Sequence, residues 1–137
     1  MKIPTILLVG CLFGAIPVVR AEEETQLGKQ MEAMNDAYKA FRRETDPVKG
    51  AAMAREAQVA AIKAALETPD LVKEMPDGPE KVKAALGYRK MMAKLFTSLC
   101  EVEEAFINGK MEDVATIVEG LKGQKKEGHD KFIKEDE

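Results

Sequence analysis

"LGKQMEAMNDAYKAF", residues 27 to 41, places Leu27, Met31, Met34, Tyr38 and Phe41 four, three, four and three positions apart. That spacing puts all five on one stripe of an α-helix, because side chains three and four residues apart share a face. The helix is expected to run from about Glu24 to Thr45 and to stop at "TDP". There Asp46 can accept from free backbone N–H groups, and Pro47 opens a second helix. This second helix, about Pro47 to Glu67, is rich in alanine, with Met53, Ala57, Ala60, Ala64 and Leu66 as its inward side. The loop "TPDLVKEMPDGPE" follows, punctuated by prolines and long for a connection between bundled helices. A third helix starts near Pro79 and carries Val82, Leu86, Arg89, Met92, Phe96, Leu99, Val102 and Phe106 at helical spacing. "NGK", residues 108 to 110, is a tight reversal in which Gly109 supplies a positive φ. The fourth helix, Met111 to about Lys134, carries Val114, Ile117, Val118 and Leu121, and the same stripe continues through Lys125, His129 and Phe132. Four helices with no strand-like alternation predict an all-α, antiparallel up-down-up-down four-helix bundle.

The first residues do not belong to that bundle. Lys2, an apolar run from Ile3 to Val19 broken by prolines and glycines, and small Ala21 before an acidic start read as a secretory signal peptide cleaved after Ala21. "LVGC", residues 8 to 11, also has the look of a lipobox, with Cys11 as the lipidated residue of the alternative reading. The division is therefore a leader, 1–21, and one helical domain, 22–137. Lys2 and Arg20 lie in the leader, so of 21 basic and 24 acidic residues the domain keeps 19 and 24, a net charge of −5. A surface of that sign argues against nucleic acid, whose phosphates need a basic face. Only Cys100 remains after the leader, so no intramolecular disulfide can form. The absence of C-x-x-C-H excludes a covalently attached c-type haem.

In an up-down-up-down bundle the start of helix one and the end of helix four lie at the same end. Met31 and His129, the chain's single histidine, then stand on facing stripes near that mouth. Thioether plus imidazole suits a low-spin haem iron, with apolar walls drawn from the alanine-rich second helix and the region of Tyr88, Met92 and Leu95. Copper also accepts this mixture of donors, but it calls for further His or Cys nearby. The plain reading stands beside these: Met is a common core filler, and a histidine in a last helical turn is favoured by the helix dipole. There is no Glu-x-x-His pair for a di-iron centre, no readable catalytic triad and no glycine-rich phosphate loop. Cys100 reads as a small apolar residue on a mainly buried helix, with a dimer-forming thiol as the alternative.

From about Gln26 to Phe132 the chain resembles the cytochrome b562 family, soluble periplasmic four-helix haem proteins. "QMEAMND", residues 30 to 36, is similar to that family's first-helix ligand motif, with Met31 in the ligand place. "NGKMEDVATIVEGLKGQKKEGHDKF", residues 108 to 132, is similar to its fourth helix without a gap and puts His129 at the axial histidine. "GYRKMM", residues 87 to 92, falls where the family lines the haem, so Tyr88 and Met92 take the places of two pocket aromatics. The resemblance implies that Lys125, one turn before the histidine, serves a haem propionate. Gly128 departs from the pattern and weakens the helix by about 1 kcal/mol beside the ligand.

The reading that follows is a periplasmic electron-transfer protein, not an enzyme. It holds one non-covalent haem b per chain, with Met31 and His129 as iron ligands and Tyr88, Met92 and Lys125 around the cofactor. Its partners are small redox proteins in transient contact, and it is a monomer unless Cys100 joins two chains. A rival reading is a haem-free periplasmic bundle with a structural or interaction role. A third is a metal-ion binder using Met31, His129 and nearby acids.

Overall fold

The computed structural model describes residues 25–133. The leader, its cleavage after Ala21 and the Cys11 alternative therefore fall outside the described residues. Thr25 caps the first helix, α1 (Gln26–Phe41), its hydroxyl accepting from the Gly28 amide at 3.0 Å. The helix stops at Phe41, earlier than expected. The Glu44 carboxylate accepts from the amides of Thr45 and Asp46, both at 2.9 Å, and Asp46 is kept extended by the proline after it. Asp46 then caps α2 (Pro47–Ala65), accepting from Val48 and Lys49 at 2.9 and 3.0 Å as the sequence foretells. The long connection is not all loop: Asp70–Lys73 form a single turn, α3, and its Val72 is buried. Next come α4 (Pro79–Ile107) and α5 (Met111–Phe132). Between them Gly109, at φ 67°, donates to Phe106 O and Lys110 donates to Ala105 O, both at 2.9 Å, which satisfies two orphan carbonyls at the end of α4.

The four long helices make the antiparallel bundle, and the described residues contain no strand. Ala54, Ala57, Ala60, Ala61 and Ala64 of α2 are all at most 4% exposed. Their small side chains let α1 and α4 approach closely, and the volume is filled by Phe41, Tyr88, Met92 and Phe106. α2 and α4 are also pinned by a polar seam. The Gln58 amide donates to Leu99 O at 3.2 Å and to Glu103 Oε2 at 2.7 Å, while the Arg55 guanidinium holds the other Glu103 oxygen. The Gln58 hydrogen bond, then those of Arg55, hold the Glu103 carboxyl below the usual range. A buried amide with no partner would cost about 1–3 kcal/mol, so this seam resists a slip in register.

One expectation of the core needs correcting. Leu66, Val82 and Leu86 point outward, with Arg89, rather than into the core. For Val82 and Leu86 the reason is length: α4 has 29 residues against 19 in α2, so its first turns run past the end of α2, which cannot cover them. The bundle is also closed on three sides only. α1 packs on α2, α2 on α4 and α4 on α5, yet no Cα of α1 comes within 8 Å of a Cα of α5.

Candidate functional site

The open side between α1 and α5 is bridged by one hydrogen bond, from Lys125 Nζ to Asn35 Oδ1 at 2.9 Å. The helices run in opposite directions, so this rung fixes their register. One turn back along α1 is Met31 and one turn on along α5 is His129, each displaced about 6 Å from the rung toward the same end. Met31 is half-buried against the core. His129, however, is exposed, and this corrects the inward stripe drawn from sequence. The buried side of α5 passes through Val114, Val118 and Leu121 to Gly128 and Phe132, which leaves His129 about 100° round from Gly128. Lys125 is exposed in the same way four residues earlier. Among the described residues neither ring nitrogen of His129 has a hydrogen bond or ion pair. The flanking acids are engaged elsewhere, Asp130 with Lys126 at 2.7 Å and Glu127 with Lys131 at 2.6 Å. The imidazole is thus free to ligate.

The inner wall of this mouth is apolar and tightly held. Tyr88 is 2% exposed and Met92 1%. The Tyr88 hydroxyl donates to Ala64 O at 2.8 Å, and its ring meets Phe132 edge to face, with centroids 5.4 Å apart. Gly128 has a use that its helix propensity hides: a Cβ there would come 3.1 Å from Met91 Cε and 3.2 Å from its sulfur. Met91, which the sequence did not single out, therefore packs on the α5 backbone beside His129. The signal was the bare Gly128 itself, since a helical glycine often marks a close approach. Burial, and then the nearby Glu67 carboxylate, push the Tyr88 hydroxyl up to about 12 from 10.0. Its raised value means that the folded state keeps a proton the unfolded chain gives up. The associated stability is intact below pH 10 and lost between pH 10 and about 12, to the extent of about 2–3 kcal/mol. Urea midpoints should fall over that range, and more steeply in the native sequence than in Tyr88→Phe.

The sequence profile of cytochrome b562 matches residues 26–133, from the first residue of α1 to one beyond α5. The chain belongs to the cytochrome b562 family. That family consists of helical-bundle, haem-binding electron-transfer cytochromes, typically periplasmic. No individual curated protein matches the sequence. A cleft of about 370 Å³ lies at the end opposite the mouth, lined by Glu101, Glu104, Asp113 and Lys110 among others. It offers carboxylates but neither imidazole nor thioether. No three His, Cys, Asp or Glu side chains converge on a common metal position among the described residues. Cys100 is a free, half-buried thiol, pushed up by burial and then by Glu103 and Glu101, so it is a poor nucleophile. No described helix is long and apolar enough to cross a membrane.

The residues at the mouth fit a haem in two respects: a thioether and an imidazole on α1 and α5, and a wall of Met92, Met91, Tyr88 and Phe132. Further along the same two helices, the Tyr38 hydroxyl on α1 and Gln124 Oε1 on α5 are buried and have no hydrogen-bond partner among the described residues. On these antiparallel helices both lie beyond the rung between Asn35 and Lys125, on the side away from Met31 and His129.

Proposed function

We propose that the chain is an exported carrier of single electrons that holds one non-covalent haem b between α1 and α5, with Met31 and His129 as its axial ligands. The observation that supports this reading is the rung from Lys125 to Asn35, with Met31 and His129 each one turn from it toward the same end of the bundle. Haem supplies the one-electron chemistry, and a thioether opposite an imidazole raises its potential. The chain's own part is to bind, orient and keep water away. Tyr88, locked onto Ala64 O, and the buried Met92 would form the inner wall against the cofactor. Lys125, exposed on a long stem, can leave Asn35 and place its ammonium on a porphyrin carboxylate.

Export after Ala21 places this carrier in the periplasm, with small redox proteins as transient partners at the exposed haem edge. It turns over no substrate. The test is to titrate the purified mature chain with haem and record oxidised and reduced optical spectra. A saturable Soret shift at one haem per chain, with sharp α and β bands on reduction, is the expected result. No Soret shift would replace the carrier with a haem-free bundle of structural or interaction role.

A further inference from the structure

We infer that the Tyr38 hydroxyl is a second anchor for the cofactor, donating a hydrogen bond to a carboxylate of the porphyrin; the inference rests on the haem reading above. Tyr38 is not a free rotor. Its ring meets Phe41 edge to face at 5.6 Å, and the Arg42 guanidinium lies 5.8 Å from its centroid. Held this way, the hydroxyl is buried without an acceptor. An unmet buried polar group costs about 1–3 kcal/mol, so the fold tolerates here what it avoids along the rest of α1. The unmet atom sits on the side of α1 where α5 stands off, three residues from Asn35. Helical side chains lean toward their own N-terminus, so the phenol leans back about one turn, toward the level of Asn35.

Charge decides what kind of acceptor belongs there. Lys125 faces Asn35 across the gap, the Arg42 guanidinium lies over the Tyr38 ring, and Lys122 of α5 stands near the phenol although it is paired with Glu119 at 2.7 Å. A donor in surroundings this basic favours an anionic oxygen, and hydrogen bonds to charged groups are roughly twice as strong as neutral ones. Gln124 Oε1 has the opposite need. Its amide is committed to Ser98 Oγ at 2.8 Å, and the unmet carbonyl oxygen can only accept. A water shared by Tyr38 and Gln124 is therefore the competing account of the same two atoms.

The experiment compares native chain and Tyr38→Phe in titrations with haem and with haem whose two carboxylates are methyl esters, alongside melting of the haem-free proteins. Tyr38→Phe should bind haem about tenfold more weakly, bind the diester as the native chain does, and melt no lower than native when haem-free. Equal haem affinity in the two proteins would overturn the assignment in favour of the shared water. An equal loss for haem and diester would also overturn it, by showing that the ring matters only through packing. If the native chain forms no low-spin complex at all, the haem reading itself falls and takes this assignment with it.

Discussion

His129→Ala should weaken haem binding on the order of a hundredfold, about 2.7 kcal/mol, and convert the low-spin spectrum to a high-spin one. The haem-free protein should melt within a degree or two of native. The second half of that expectation comes from the structure. His129 is exposed and its ring makes no hydrogen bond or ion pair among the described residues, and substitutions at such positions cost about 0.5 kcal/mol or less. The fold does not need this imidazole, so its loss reads out on the cofactor alone. Met31→Ala is a less clean experiment. Met31 is half-buried against the core, and its truncation removes packing as well as a ligand. The two variants together separate the roles: both should lose the low-spin bands, while only Met31→Ala should lower the melting temperature of the haem-free chain. A low-spin complex that survives His129→Ala at native affinity would remove His129 from the iron.

How much of this was legible in the sequence depends on whether a feature is local. The stripe from Leu27 to Phe41, the cap at Asp46 with Pro47 and the reversal at Gly109 are decided by residues within a turn or two of one another. All three appear in the structure. What failed depended on how far one helix extends beside another. Val82 and Leu86 fit the core stripe of α4, but α2 ends before it can cover them. His129 was placed inward by adding threes and fours to Leu121, a sum that drifts around the helix over two turns. The site shows the same division. Met31, His129, Tyr88, Met92 and Lys125 come from residue type and resemblance, and the structure brings them to one end of the bundle. Met91 against Gly128 and the unmet hydroxyl of Tyr38 are pairings across helices, which no single-helix pattern encodes.

Phe106→Ala should be among the most destabilising single changes in the chain, at about 3–5 kcal/mol, and its cost is tied to one glycine. Phe106 is fully buried, and its ring lies so close to Gly50 on the first turn of α2 that a Cβ there would overlap three ring carbons. The contact is with a rigid ring, not the end of a flexible chain, so α2 and α4 would have to move apart. Gly50→Ala should therefore cost about 1–3 kcal/mol, although alanine is the better helix former by about 1 kcal/mol. In the Phe106→Ala background the obstacle is gone and only the propensity term survives. There Gly50→Ala should stabilise, by up to about 1 kcal/mol, so the double variant should be more stable than Phe106→Ala alone. Urea unfolding of the four proteins, analysed as a cycle, measures this reversal of sign. If Gly50→Ala costs the same in both backgrounds, the ring is not the reason for the glycine, and the close approach of α2 to α4 at that end must be held by something other than the missing Cβ.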